Sequence, residues 1–384
     1  MNKGKVYQPQ YFKKFQCTGS ECRDTCCRNW IIFIDEVTYE KYMGIGEETK
    51  KEFAEKIKVI EKAPFSAIID LDEEGKCRFL DGRGLCSIQL RYGHDYLSHT
   101  CRVYPRKLCK VAGEIEAFLG LSCEAAARII LLEQNIMKFE NAAIEREGSV
   151  FFEYILEEEK YVTSLNAADI FWKLRTASIV IAQSRHYRLR ARMLILGIYI
   201  NQASALMPAG EYDAIREHTD RFLERMNSRF YDDLVEQAHG KDELDFEFIL
   251  GLLRTMVAKQ NKLFNKITEQ ALEALGISLS GGIPDDFRDS FQRSYERYLA
   301  DKEYILENYV VSHIFSDGFP FNYKYEDSIL KNYKELLVKF NLMKFLLVGV
   351  SKYHNKFDKR RVIECVSSFS RVYDHQYGGA LVMK

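Results

Sequence analysis

The sequence predicts a mainly α protein, with a Cys-rich, loop-rich N-terminal metal-binding module followed by a multi-helix body. Three observations predict it. Cys17, Cys22, Cys26, Cys27, Cys77, Cys86, Cys101, Cys109 and Cys123 all fall in the first third of the 384 residues, and only Cys365 lies beyond. Cysteine used merely as a small hydrophobe would be scattered. The chain carries only 6 Pro, which favours long uninterrupted elements over a turn-rich sandwich. After Cys123, apolar residues recur at helical spacing. We therefore expect a Cys-dependent module over residues 1–125 and a helical domain over 126–384.

Composition narrows the function classes. At 47% hydrophobic residues the chain can bury a sizeable core, which excludes extended disorder. Lys+Arg 55 against Asp+Glu 56 leaves a net charge of -1, so there is no global basic field for non-specific nucleic-acid binding. The most apolar run, Phe345 to Val350, falls far short of the ~18 to 20 residues of a membrane span. The opening MNKGKVYQPQYFKKF lacks the apolar stretch of a secretory signal. The expectation is a cytoplasmic protein with neither nucleic-acid nor membrane partner.

Taken in order, residues 64–114 are broken by Gly75, Gly82, Gly84, Gly93, Pro105 and Gly113, and read as loops, turns and one or two hairpins. Asp81-Gly82 lies between Cys77 and Cys86, where a tight turn brings the two thiols together. Ile129, Leu132 and Ile136 predict a helix from Glu124 to about Glu140, with Asn141–Gly148 as connector. Ile170 to Met207 reads as two helices interrupted near Ser184-Arg185. Within it, the run from Arg185 to Arg192 is expected to be a solvated helix face with Leu189 and Met193 turned inward. Ile249, Leu252, Leu253, Met256 and Val257 share one helical face, as do Tyr333, Leu336, Leu337, Phe340, Met343 and Leu347. Gly281-Gly282-Ile283-Pro284 reads as a loop and Asp285-Asp286 as a helix start.

The cysteines admit several chemistries. Four thiols between Cys17 and Cys27 are close enough to converge on one centre, and Cys77, Cys86, Cys101 and Cys123 can complete a ligand set. Adjacent Cys26 and Cys27 point in different directions on most backbones, so one ligates while the other packs, or they serve different centres. A disulfide framework suits a small secreted domain, not this chain. Buried unligated thiols suit Cys109 and Cys365. Structural zinc would stabilise a loop-rich segment, and four thiolates can equally hold an iron–sulfur cluster. Spacings of x4, x3 and x0 match neither paired zinc knuckles nor the radical-type triplet, so zinc and iron–sulfur both stand. Around Cys101, Arg102, Tyr104 and Arg106 are candidate cofactor-binding residues. The two guanidinium groups can offset thiolate charge or hold a carboxylate, and hydrogen bonds donated to the ligating sulfurs tune such a centre. The competing reading makes the arginines surface ion pairs and His99 a solvated loop residue.

Cys22-x3-Cys26-Cys27, Cys77-Arg-Phe-Leu, Leu85-Cys86-Ser-Ile and Cys101-Arg-x-Tyr-Pro together resemble a Cys-rich family described as zinc- or iron-chelating. More narrowly, the chain resembles the flagellin lysine-N-methylase family. Similar stretches are Tyr11 to Phe15, Leu119 to Arg128, Gln183 to Tyr187, Arg192 to Gly197, Leu306 to Tyr309 and Phe319 to Phe321. The sequence departs from the family's Ser-Cys-Pro-Glu-Ala-like run by placing Glu124 after Cys123, and Cys109 has no counterpart in the pattern. The resemblance implies methyl transfer to surface lysines of flagellin, S-adenosylmethionine as donor, and an iron–sulfur cluster, 4Fe-4S first and zinc as the alternative.

A lysine ammonium, with a reference pKa of about 10.4, must lose a proton before it attacks a methyl group. No carboxylate or Tyr is singled out by spacing, so no catalytic residue is assigned. No Gly-rich G-x-G-x-x-G turn is present, so S-adenosylmethionine would be bound in an unusual way, and the expectation is a donor site near the cysteines because that region is the chemically distinctive part of the chain. Two other classes remain: a zinc-stabilised adaptor without enzymatic activity, and an iron–sulfur redox sensor in which Cys26-Cys27 responds to oxidation.

Overall fold

The structure, a computed structural model, describes residues 4–373 apart from 24, 29, 63–64, 112–113, 145–153, 156–164, 208–210, 238–245, 258–260, 279–282 and 322–327. Among the described residues there are eight strands and fifteen α-helices, so the chain is mainly helical. It divides into two compact units that interleave in sequence. One comprises Phe15–Lys107 and Leu119–Ala127. The other comprises Met1–Lys14, Leu108–Phe118 and Arg128–Lys384. A single cut after residue 125 does not reproduce this division, because the first strand pairs with segments more than 100 residues away in sequence.

The smaller unit is built on a three-stranded antiparallel sheet. Its strands are β2 (Phe33–Asp35), β3 (Ile57–Lys62) and β4 (Phe65–Ile69), in the order β2-β4-β3. Helices α1 (Glu36–Met43), α2 (Glu47–Lys56), α3 (Ser87–Tyr92) and α4 (His99–Val103) accompany it. Ile34, Tyr42, Phe53, Ala67, Phe79 and Ile88 form its core, and the core also takes in Cys77, with Cys27, Cys86 and Cys101 packed against it. The expected turn is present. Asp81 accepts from the amides of Arg83 (2.9 Å) and Leu85 (3.0 Å), and Leu80 bridges to Cys86.

The larger unit carries a five-stranded mixed sheet in the order β7-β1-β6-β5-β8. Its strands are β1 (Gly4–Pro9), β5 (Arg106–Val111), β6 (Glu114–Leu119), β7 (Phe139–Ile144) and β8 (Tyr154–Ile155). β1 runs antiparallel to β7, pairing Gly4 with Ile144 and Pro9 with Phe139, and parallel to β6, pairing Tyr7 with Glu116. Glu116 is neutralised by Arg175 of α6 (Leu165–Ala182), whose guanidinium also stacks on Phe171, Trp172 and Phe315 at 4.5 to 4.9 Å. Cys109 is buried among these aromatic residues. Cys365 is buried in the last helix, 4.0 Å from the Met343 sulfur.

The helical expectations mostly hold. α6 and α7 (Leu189–Leu206) are two helices interrupted at residues 183–188. α10 (Phe246–Val257) and α14 (Ile329–Tyr353) contain the predicted faces, and α12 (Phe287–Tyr298) begins directly after Asp286, at the predicted helix start. Two expectations are corrected. α5 (Glu124–Leu131) stops well before Glu140, and residues 139–144 are strand rather than helix end and connector. Their alternating pattern pairs with β1, and tertiary pairing overrides a weak helical period. Residues 145–148 of the expected connector and Gly281-Gly282 lie outside the described residues. No described helix is long and apolar enough to cross a membrane.

Candidate functional site

In the smaller unit, short elements set out the thiols. Asp35 caps α1 by accepting from the Thr38 amide (3.1 Å), and its second oxygen accepts from the His99 amide (2.8 Å) at the start of α4. Burial alone would raise the Asp35 pKa. The His99 amide and the Thr38 hydroxyl and amide outweigh that and hold the carboxyl below its usual range. Ser98 caps α4 by accepting from the Cys101 amide at 3.3 Å. Thus one buried carboxylate and one hydroxyl fix the turn that carries Cys101. The Cys77 amide donates to the Cys27 carbonyl at 2.8 Å, joining two Cys-bearing segments.

Burial raises the pKa of several of these thiols, and neighbouring sulfurs add to the rise. Burial pushes the Cys101 thiol up to about 12 against the opposing Ser98 hydroxyl, with Cys77, Cys86 and Cys26 adding to the rise. Cys77 is pushed up to about 11 by burial, opposed by the Phe79 amide, with Cys86 and Cys26 nearby. Cys123 reaches about 11 by burial, opposed by the amides of Ala126 and Ala125, with Cys26 and Cys17 nearby. Cys86 rises for the same reasons, opposed by the amides of Gln89 and Ile88. Cys26 is therefore electrostatically close to four other candidate thiols. Cys22 instead approaches Glu124 at 3.9 Å, and Cys27 packs on the core. Glu124, the departure from the family run, also accepts from the Arg23 amide at 3.3 Å. None of the ten cysteines is paired in a disulfide.

A metal or cluster must be tested against these residues. Among the described residues no three His, Cys, Asp or Glu side chains are gathered into a set that could hold an ion. The donor chemistry nevertheless suits a thiolate-held centre of net negative charge. Amide N–H groups point at Cys77, Cys86 and Cys123. The Nε atoms of Arg28 and Arg102 are buried with no hydrogen-bond partner among the described residues, so two guanidinium groups each present an unused donor. Tyr104 bonds the Ser122 hydroxyl at 3.1 Å and packs on Trp30, whose indole donates to the Cys26 carbonyl. Arg106 lies over the Phe15 ring at 4.7 Å. Burial lowers its pKa, opposed by the Cys17 and Cys123 sulfurs. Asp35, Ser98 and Trp30 were missed by sequence reasoning. The S-x-x-C spacing of Ser98 and Cys101 was the available signal for the cap.

In the larger unit a second constellation forms. Glu307 is fully buried on α13 (Glu303–Ser316), and accepts from Arg185 at 2.8 to 3.2 Å and from Arg192 at 2.6 Å. The expectation of a solvated Arg185–Arg192 face is thereby corrected. Leu189 and Met193 do turn inward, but Arg192 is only 2% exposed because the buried carboxylate demands a counter-charge. Arg185, His186 and Arg188 are exposed as foreseen, and Arg188 pairs at the surface with Glu303 (3.0 Å) and Glu296 (3.3 Å).

This network pins the loop after α5. Arg185 donates to the Gln134 carbonyl (2.8 Å), Gln183 to the Met137 carbonyl (3.1 Å), and Asn308 to the Glu133 carbonyl (2.7 Å). The pinned loop walls a cavity of about 220 Å³ whose lining includes Tyr11, Ile130, Glu133, Ile136, Met137 and Asn308. Gln183, Arg185, Arg192, Glu307 and Asn308 all belong to the stretches that carry the family resemblance, and the fold gathers them here.

A thiol-rich unit joined in one chain to a multi-helix body defines the class. The sequence profile described as the FliB lysine N-methylase C-terminal domain matches residues 175–378. The chain belongs to this family. It is 32% identical over 142 residues to a lysine-N-methylase of Salmonella typhimurium, covering 36% of this chain and 35% of that protein. It is 30% identical over 159 residues to the flagellar biosynthetic protein FliU of Salmonella muenchen, covering 41% of this chain and 94% of that protein. The match thus spans about a third of the length of the Salmonella typhimurium relative. No solved structure matches.

Proposed function

We propose that this chain methylates ε-amino groups of surface lysines on flagellin, with S-adenosylmethionine as donor and a Cys-ligated iron–sulfur cluster, 4Fe-4S rather than zinc, in its thiol-rich unit. The observation that carries the reading is membership of the lysine N-methylase family over more than half of the chain. A relative named for flagellar biosynthesis supports flagellin as the protein substrate. Cys26, Cys77, Cys86 and Cys101 would hold the centre, and Arg28 and Arg102 would offset its charge. Such a centre, when bound, supplies electrophilic or redox assistance that neutral side chains lack. S-adenosylmethionine supplies a methyl group on a sulfonium. The lysine nitrogen forms its new bond to that carbon after shedding its proton, while the carbon–sulfur bond breaks and its electron pair stays on sulfur as a neutral thioether.

The test uses anaerobically reconstituted full chain, flagellin and S-adenosylmethionine, read by intact mass. Flagellin gains methylene increments if the reading is right. Unchanged flagellin with metal-replete protein overturns it and leaves the adaptor reading in its place.

A further inference from the structure

We propose that the basic turn between α14 and α15 (Lys359–Val372), in the larger unit, is a docking surface for an acidic segment of the protein substrate. The inference rests on the methylase reading for the identity of that partner. Between Lys352 and Glu364 the chain carries Lys352, Lys356, Lys359, Arg360 and Arg361 against Asp358 and Glu364. Five cations against two anions leave a surplus of three positive charges on a chain whose net charge is -1. Both carboxylates are engaged from within. Asp358 accepts from the Arg360 amide (2.9 Å) to cap α15, and Glu364 accepts from the Arg360 side chain (2.8 Å) and lies 3.5 Å from Arg361. Lys356 and Lys359 are exposed and have no ion-pair partner among the described residues. Burial lowers the His354 pKa, and Arg361 and Lys356 lower it further against Asp358 and Glu364, so charges from the turn and from the helix converge on one ring. Beside that ring, at 5.0 Å, lies Tyr353, 40% exposed. An exposed tyrosine among arginines is what recognition surfaces favour.

The turn is fixed before any partner arrives. Asn355 sits at φ 50°, in the left-handed region, and its side chain accepts from the Tyr298 hydroxyl at 2.8 Å. The Lys356 amide donates to the Ser351 carbonyl (3.0 Å), and the Lys352 ammonium to the Ser290 hydroxyl (3.1 Å). Lys302 lies over the Phe357 ring at 4.9 Å and is itself offset by Asp301, so it adds no net charge. A preformed surface loses little conformational freedom on binding. The surplus suits carboxylates on a protein rather than a nucleic acid. A phosphate backbone presents a charge at every nucleotide, and a chain of net charge -1 lacks the field to hold it. A membrane surface calls for apolar side chains to insert, and Tyr353 is the one large exposed hydrophobic residue of this run.

The experiment compares the full chain with the double variants Lys356→Gln/Lys359→Gln and Lys356→Glu/Lys359→Glu, whose exposed positions leave no buried charge unpaired. Binding of fluorescein-labelled decaglutamate is read by anisotropy. Wild type binds it, the neutral variant binds it less and the reversed variant does not, and the differences vanish at about 0.5 M salt. With flagellin and S-adenosylmethionine, the reversed variant raises the flagellin KM about fivefold or more while kcat holds. Decaglutamate bound equally by all three proteins overturns the proposal, as does an oligodeoxythymidylate bound more tightly than decaglutamate. Lost decaglutamate binding with an unchanged flagellin KM overturns the docking proposal and spares the methylase reading. Graded decaglutamate binding in a protein that methylates nothing upholds the acidic-peptide surface while the methylase reading falls.

Discussion

At the scale of single residues, the molecule separates buried charges that are obligatory from surface charges that are not. Glu307 is buried between Arg185 and Arg192, and removing it leaves the buried Arg192 guanidinium with only the Ala182 carbonyl and a 3.6 Å approach to Glu303. Glu307→Ala is expected to cost about 3–5 kcal/mol in urea unfolding. Arg188→Ala, at an arginine more than half exposed, should cost no more than about 1 kcal/mol. Asp317 gives a pH signature. Burial would raise its pKa, but Lys339 (2.7 Å) and His313 (3.0 Å) outweigh it and hold the carboxyl far below the usual carboxylate range, with Glu335 sharing Lys339 at 3.6 Å. A carboxyl depressed in the fold stabilises fully above its unfolded pKa of about 3.9 and progressively less as pH falls below it. Asp317→Asn should therefore lower stability at neutral pH and flatten the acid limb of a stability–pH profile. An unchanged acid limb would contradict this assignment. The sequence exposed Arg185 and Arg192 as a pattern, but not their partner, because Glu307 lies 115 or more residues away and charge pairing has no short-range signal.

At the scale of elements, α5, α6, α7, α10, α12 and α14 were legible, whereas α1 to α4 and most of the strands were not. A helix satisfies its backbone locally, so its apolar period is written in consecutive residues, as in α10 and α14. β1 and β7 pair across about 130 residues and sit in a sheet whose alternation is short and uneven. Helix packing depends on features that periodicity does not report. In α14, a Cβ built at Gly349 would lie 2.5 Å from the Ala271 Cβ of α11 (Lys262–Leu275), so the two helices approach through that missing side chain. Gly349→Ala should destabilise by about 1–3 kcal/mol through overpacking. Gly251 of α10 has no atom within 4 Å of the corresponding position. Gly251→Ala should stabilise by up to about 1 kcal/mol, since only helix propensity changes. Chemical denaturation of the pair decides it, and equal effects would show that the two helices give way at no cost.

At the scale of the whole molecule, the cysteine distribution predicted a separate thiol-bearing unit but misjudged its borders. Cys109 shows why. It lies in the Cys-rich third of the sequence, yet its strand belongs to the larger unit, where the thiol is an apolar filler beside Phe118 and Phe315. Counting cysteines cannot distinguish a filler from a donor, whereas neighbouring thiols can. The electrostatic influence of Cys26 on Cys77, Cys86, Cys101 and Cys123 makes it the thiol to test first. Cys26→Ala and Cys101→Ala should each lose bound metal and acid-labile sulfide, while Cys109→Ala and Cys365→Ala should keep both, because their sulfurs pack against aromatic and Met343 side chains. Metal binding is folding free energy for the unit that holds it. Chelation should accordingly strip hydrogen-exchange protection from residues 30–107 and leave α6, α7 and α13 protected, since the cores of the two units are made from different residues. Protection lost evenly along the chain, or metal retained by the Cys26 variant, would place the centre elsewhere.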